Sequence, residues 1–237
     1  MPFRFPYYPP LPATYRDVRS HLVVFEAEPE DVARFLPKPL EPSPDGLCMA
    51  MGIQVPFCTA YGPFNEALLT LKARFRGEVG WYMPIIWHDG PAGIAAGREI
   101  YGAPKVYASI EIAIDGPSMR TVASMGGVPV LTIASTSDEP IEADGVPSMA
   151  PDWRLKMIPR ADGPGLAIKQ LIDASGASHD VTVAASFRGR GTISLGAAPD
   201  SDFSALEPRA YGDAYFNESS FSEGYGRVVY DYLADEG

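Results

Sequence analysis

Apolar and polar positions alternate along much of this chain, and the alternation predicts strands. Between residues 67 and 76, Leu69, Leu71, Ala73 and Phe75 fall on one face and Thr70, Lys72, Arg74 and Arg76 on the other. That period of two is the pattern of a half-buried strand. It returns after Pro104, where Val106, Ala108, Ile110, Ile112 and Ile114 oppose Lys105, Tyr107, Ser109 and Glu111, until Asp115-Gly116-Pro117 breaks it. Further strands are predicted at 22–25, 47–55, 81–87, 119–125, 128–136, 153–159, 179–187 and 191–196. Segment 167–172 is ambiguous, and segments 211–216 and 226–233 close the chain.

Helical periodicity is scarce. Residues 28–36 predict a helix: Pro29 comes early, Glu30 and Asp31 suit the positive end, and Val32, Phe35 and Leu36 share a face. Pro37 and Pro39 stop it. Residues 93–98 predict a short helix, 202–206 a helical turn, and 61–66 a turn-rich loop. Residues 1–14 carry five prolines and predict an extended arm, suited to packing on a neighbouring surface or subunit. Many short strands between Gly/Pro turns, with few helices, predict a mainly β, α+β protein with an antiparallel sheet closed into a barrel or sandwich. With no linker and no repeat, one domain over residues 1–237 is expected.

Composition narrows the function. Hydrophobic residues make up 46% and charged residues 21%, enough for a sizeable core. A formal net charge of −11 argues against nucleic acid and against anionic lipid. A small acidic substrate remains open, because a few local cations in a pocket override the net charge. The expected surroundings are cytoplasmic: no run is long and apolar enough to span a membrane, and the N-terminus lacks a signal peptide's apolar stretch. Cys48 and Cys58 read as two reduced thiols. His21, His88 and His179 show no metal-ligand spacing, so neither metal nor cofactor is expected. Gly189-Arg190-Gly191 lacks the strand and helix context of a nucleotide site.

One segment carries candidate chemistry: Gly97-Arg98-Glu99-Ile100-Tyr101-Gly102-Ala103-Pro104-Lys105. Lys105 sits among Ala103, Pro104 and Val106, apolar enough for a buried amine. Desolvation lowers a lysine's pKa from its ordinary ~10.4 and frees it as a nucleophile. On these residues alone, the commoner arrangement is a lysine whose ammonium reaches water.

The segment resembles the Gly-Arg-Glu…Pro-Lys stretch of the acetoacetate decarboxylase family, whose imine-forming lysine occupies the position of Lys105. Tyr61-Gly62-Pro63-Phe64-Asn65-Glu66 resembles the loop bearing the family's catalytic glutamate, at Glu66. Trp153-Arg154-Leu155-Lys156-Met157-Ile158-Pro159 resembles its Leu-Lys-x-Ile-Pro segment. Asp180-Val181-Thr182-Val183 and Val229-Tyr230-Asp231-Tyr232-Leu233 match as well, so the likeness covers residues 23–233. It implies the family's β-barrel or cone and a homo-oligomer.

Two departures bear on the reaction. A second lysine follows the first in well-known members, where a neighbouring cation is the recognised means of activating the amine; here the residue is Val106. The stretch 48–54, where the family carries another carboxylate, holds no acid. The family's N-terminal arginine has only Arg16 and Arg19 as nearby counterparts.

The resemblance implies that Lys105 forms an imine with a small oxo acid and that Glu66 moves protons. Arg98 is a candidate for the substrate carboxylate, with a structural salt bridge as the alternative. Tyr107, sharing strand parity with Lys105, and Phe64 and Met51 are candidate pocket wall, or core. Two reactions share this first half: aldol condensation and dehydration of a 2-oxo acid such as pyruvate with an aldehyde, which is favoured here, and decarboxylation of a 3-oxo acid. A non-catalytic β-barrel that binds a small ligand is the alternative from another class.

Overall fold

The computed structural model describes residues 4, 7–199 and 201–234. Its first half runs β1 Ala13–Glu26, α1 Pro29–Ala33, β2 Glu41–Pro42, β3 Leu47–Val55, β4 Phe57–Cys58, β5 Phe64–Phe75 and β6 Glu78–His88. There follow α2 Pro91–Ala96, a π-helical turn Gly97–Tyr101, β7 Lys105–Tyr107, β8 Ser109–Asp115, β9 Ser118–Met125 and β10 Val128–Pro140. The remainder comprises a 3-10 turn Ala143–Gly145, β11 Asp152–Pro159, β12 Leu166–Asp173, β13 Ser178–Leu195, β14 Ala197–Ala198, β15 Ser201–Asp202, β16 Ala210–Glu223 and β17 Arg227–Asp231.

All strands but the small β14–β15 hairpin join one sheet. Its main path is β17-β12-β11-β6-β5-β3-β1-β16-β13-β10-β9-β8. Pairing is antiparallel except where β6 meets β7 and β11. The two edge strands do not meet, so the expected barrel is an incompletely closed cone. Curling brings β8 and β9 back against β5. Val23, Ala50, Leu69, Ile110, Leu131 and Ala214, from six different strands, thereby meet in one buried cluster.

The period-two reading of 67–76 is right in parity but too wet. Leu69, Leu71, Ala73 and Phe75 are buried as expected, yet Leu68 and Thr70 on the opposite face are buried too. Both faces of β5 are covered there, one by the main core and the other by a second cluster with Met49, Met83 and Tyr101. Strands with much polar surface run longer than their apolar patches suggest. The predicted 22–25 lies inside a fourteen-residue β1, and 179–187 with 191–196 are one strand, β13. The helix at 28–36 contracts to Pro29–Ala33 and a turn. The expected helical turn at 202–206 is a turn after β15, closed by Leu206 N–H donating to Phe203 O. Part of the proline-rich arm lies outside the described residues. The rest returns to its own chain: Tyr8 Oη donates to Glu99 Oε2 at 2.6 Å, and β1 already begins at Ala13.

A polar knot crosses the core. His21 of β1 is fully buried and bonds Ser135 Oγ of β10 at 2.7 Å through Nδ1 and Thr121 Oγ1 of β9 at 2.8 Å through Nε2. Its cross-strand partner Gly52 makes room for it: a Cβ there would come within 2.0 Å of Thr121 Oγ1 and 2.7 Å of His21 Nε2. Both cysteines are buried and unpaired. Among the described residues no helix is long and apolar enough to cross a membrane, and no cluster of His, Cys, Asp or Glu is placed to hold a metal ion.

Candidate active site

Strand alternation aims Glu66. Successive side chains of β5 point to opposite faces, so Ala67, Leu69 and Leu71 enter the main core while Phe64, Glu66 and Leu68 turn to a cavity on the other side. Glu66 is therefore part of a strand rather than the loop expected from the sequence. Its backbone is registered against Ile53 of β3 and His88 of β6.

Lys105 reaches the same cavity from β7, whose first residue pairs with Ile86 of β6. The segment before it explains why Gly97, Arg98 and Lys105 belong together. Residues 91–101 are helical throughout, ending in the π turn, so Arg98 and Glu99 are not on extended backbone. A Cβ at Gly97 would lie 2.7 Å from Lys105 Cδ, so the lysine stem occupies the space a side chain would need. Arg98 Nη1 donates to the Lys105 carbonyl at 3.1 Å and anchors its backbone.

The two candidate groups meet. Lys105 Nζ lies 2.8 Å from Glu66 Oε2, and each side chain is only 13% exposed. The ammonium also stands 5.4 Å from the centre of the Phe64 ring. The cavity measures about 300 Å³, and Met51, Ile53, Phe64, Met83, Ile86 and Phe221 give it an apolar wall. A wider depression, about 920 Å³, lies between β9, β10, β13 and β16, but no lysine lines it. Chemistry, rather than size, marks the smaller cavity as the candidate site.

Arg154 of β11 and Glu223 of β16 also line the cavity. One edge of the Arg154 guanidinium is held by Asp152 Oδ2, with Nε at 3.1 Å and Nη2 at 2.6 Å. Glu223 Oε2 accepts from Tyr15 Oη at 2.8 Å. Burial works against the Arg154 charge, but Asp152, then Glu223 and Glu66, outweigh it and keep the guanidinium firmly protonated. At Glu66, burial pushes the carboxyl up, yet the Lys105 ammonium and its hydrogen bond, with Arg154 behind them, hold it below the usual range. His88 adds little charge there, because burial, and then Lys105, lower its own pKa to about 3.

Of the residues singled out from sequence, the fold gathers Lys105, Glu66, Phe64 and Met51 around one cavity. It places Arg98 and Tyr107 elsewhere. Arg98 is exposed on the outside of the π turn, and its guanidinium serves the Lys105 backbone rather than the cavity. Tyr107 shares parity with Lys105 but sits two residues further along β7, about 7 Å on, where it is 69% exposed. Val106 points the other way, against the main core, as parity requires. Neither N-terminal arginine lines the cavity; Arg19 pairs with Glu218 at the surface. The cation that sequence reasoning missed is Arg154. Its signal was an arginine two positions after an acid on the same strand face. Glu223 and His88 gave no comparable signal, since both depend on register between distant strands.

An incompletely closed, mainly β cone with an amine–carboxylate pair in its wall defines a class: the lyases built on the acetoacetate decarboxylase fold. The model of the family described as Acetoacetate decarboxylase (ADC) matches residues 1–233, and the chain belongs to that family. Acetoacetate decarboxylase 1 of Bradyrhizobium diazoefficiens (strain JCM 10833 / BCRC 13528 / IAM 13628 / NBRC 14792 / USDA 110) is 30% identical over 239 residues, covering 99% of this chain and 93% of that protein. Among solved structures, acetoacetate decarboxylase from Legionella pneumophila subsp. pneumophila str. Philadelphia 1 superposes with a TM-score of 0.88 at 24% identity, covering 97% of this chain and 91% of that one. The enduracididine biosynthesis enzyme MppR, solved with the condensation product of pyruvate and imidazole 4-carboxaldehyde, gives 0.81 at 21%, covering 95% and 92%. At the level of its family, the chain is a Schiff-base lyase.

Proposed function

We propose that Lys105 is the imine-forming nucleophile and that the enzyme joins a 2-oxo acid, such as pyruvate, to an aldehyde with loss of water. The observation that carries this reading is the 2.8 Å contact between Lys105 Nζ and Glu66 Oε2 inside an apolar cavity that also holds Arg154. Arg154 binds the substrate carboxylate through the guanidinium edge that Asp152 leaves free. Lys105 passes a proton to Glu66 and adds as a neutral amine to the neighbouring ketone. Glu66 returns that proton to the carbinolamine hydroxyl, which leaves as water to give an iminium ion. The iminium is an electron sink. Glu66 takes a proton from the adjacent carbon, and the electron pair of that C–H bond becomes the enamine. The enamine carbon attacks the aldehyde carbonyl, which re-forms the iminium, and the new alkoxide takes that proton back from Glu66. Glu66 then removes a second proton from the same carbon, and the enamine so formed expels the hydroxyl, reprotonated by Glu66, as water. Hydrolysis then frees the unsaturated oxo acid and restores the amine.

Decarboxylation of a 3-oxo acid is the second reading, favoured by the names of the curated relatives. Arg154 weighs against it. A cation that binds a carboxylate stabilises the charge that departing CO₂ must give up, so it strengthens the ground state more than the transition state. A condensation keeps that carboxylate throughout. The cavity also corresponds to roughly ten waters' worth of liquid, room for two reactants.

Borohydride reduction with pyruvate or acetoacetate, followed by intact mass and peptide mapping, tests the shared step. An adduct on Lys105, lost in Lys105→Ala, supports an imine; no adduct in the native protein ends the proposal. CO₂ release from acetoacetate would favour the second reading. An enone absorbance from pyruvate plus an aldehyde, without CO₂, supports the first. Arg154→Met should raise KM for the oxo acid about tenfold or more, the worth of a hydrogen bond to a charged group.

A further inference from the structure

His88 stands apart from the other buried polar side chains near the site. It is fully buried at the end of β6, directly across from Glu66 of β5. Its Nδ1 accepts the Gly90 N–H at 2.8 Å, which places the ring proton on Nε2. That Nε2–H has no hydrogen-bond partner among the described residues. It lies 3.9 Å from Glu66 Oε2, the same oxygen that receives the Lys105 ammonium. The ring is held in place on both sides. It stacks on Phe64 with centroids 4.4 Å apart, and Gly93 packs so closely that a Cβ there would lie 2.5 Å from Nε2. A buried donor left without an acceptor is destabilising, so a ring fixed this firmly in an unsatisfied position calls for an explanation.

We propose that His88 is a positioning residue that offers Glu66 a second resting place when Lys105 ceases to donate to it. The inference rests on the imine reading. As attacking amine or carbinolamine, Lys105 Nζ carries no charge, and as iminium nitrogen it keeps a single proton and is tied to the substrate carbon, so its hold on Oε2 loosens through these stages. A shift of about 1 Å would then bring Oε2 within the ~2.9 Å of a hydrogen bond to His88 Nε2–H. Anchored there through Oε2, the carboxylate keeps Oε1 free to take the proton from the substrate carbon. The groups that face Glu66 are Lys105 from β7, His88 from β6 and Arg154 from β11. His88 faces Lys105 and Glu66. Because His88 stays neutral, it serves as a fixed donor and does not compete for the proton.

Lys105→Met removes the ammonium and leaves the rest of the site intact. In histidine nitrogen–proton correlation spectra, this variant should show the His88 Nε2 proton shifted downfield and protected from exchange, with Nδ1 still accepting from Gly90. A His88 signal identical to that of the unaltered protein overturns the proposal. These spectra report the contact whether or not Lys105 forms an imine, so failure of the imine reading is separately visible in the borohydride experiment. Kinetics supply the second arm. His88→Leu, which has no donor, should lower kcat on the order of tenfold and move the acid limb of the kcat profile to higher pH, because Glu66 loses a donor to its ionised form. His88→Gln should recover both. Equal behaviour of the two variants counts against the proposal.

Discussion

His21 and His88 are both fully buried, both on strands, and both beside a glycine that a larger residue could not replace without displacing a neighbour. They differ in what their second nitrogen does. His21 uses both nitrogens, on Ser135 and Thr121, and so ties β1 to β10 and β9. His88 uses only Nδ1 and leaves Nε2 bare, 3.9 Å from the carboxylate that serves Lys105. A satisfied buried network rigidifies a core, whereas an unsatisfied one costs stability. The first histidine is explained by the fold alone. The second is explained only if the chemistry needs it, and the cavity beside it supplies that need.

The contrast breaks most readily at Glu66. Glu66→Gln keeps shape and removes the base, so kcat should fall about 10²- to 10⁴-fold, measured by steady-state turnover of pyruvate with an aldehyde. Retained turnover would leave His88 as a mere packing residue. On the other side, His21→Leu strands two hydroxyls in the core and should cost about 3 kcal/mol, or roughly 10 °C in Tm. Turnover per folded molecule should not change. A smaller, sharper pair uses the glycines. Gly52→Ala would set a Cβ 2.0 Å from Thr121 Oγ1 and should lower Tm without touching kcat; Gly93→Ala would press on His88 Nε2 at 2.5 Å and should lower kcat several-fold with the smaller loss of Tm. If both alanines affect only Tm, the two histidines do the same work.

The division between the two histidines also shows what the sequence could express. Period-two alternation located β5 and the strands after Pro104, because burying one face leaves a local pattern. It undercounted β1, β13 and β16, whose polar faces and register shifts dilute that pattern. Motifs singled out Lys105 and Glu66, with Phe64 and Met51 as candidate wall, and the fold brings these four to one cavity. Arg98 was misplaced because the backbone there is helical, with its guanidinium turned to a carbonyl. Tyr107 failed because parity fixes a face but not a distance along it. Arg154 was quoted within a motif, yet nothing local shows that β11 runs parallel beside β6 and so joins the cavity wall. The pairing of Glu66 with His88 is a matter of register between β5 and β6, which no single stretch encodes.

The smallest expected effect is also the one that treats the two histidines alike. Burial lowers the His21 pKa to about 4, and burial with Lys105 lowers that of His88 to about 3, against about 6.5 in the unfolded chain. Below pH 6.5 the unfolded chain takes up protons that the native rings refuse, so stability falls with pH, for His21 until about pH 4 and for His88 until about pH 3. Each ring should therefore cost about 1.4 kcal/mol at pH 5.5 relative to pH 7.5. His21→Leu removes one of these contributions. The stability gap between this variant and the unaltered protein should accordingly narrow by about 1.4 kcal/mol over that interval, measured by urea unfolding at the two pH values. A gap independent of pH would mean that His21 takes up its proton in the native core as readily as in the unfolded chain. It would then need a charge partner, which Ser135 and Thr121 do not provide, and its description as a neutral brace would fall.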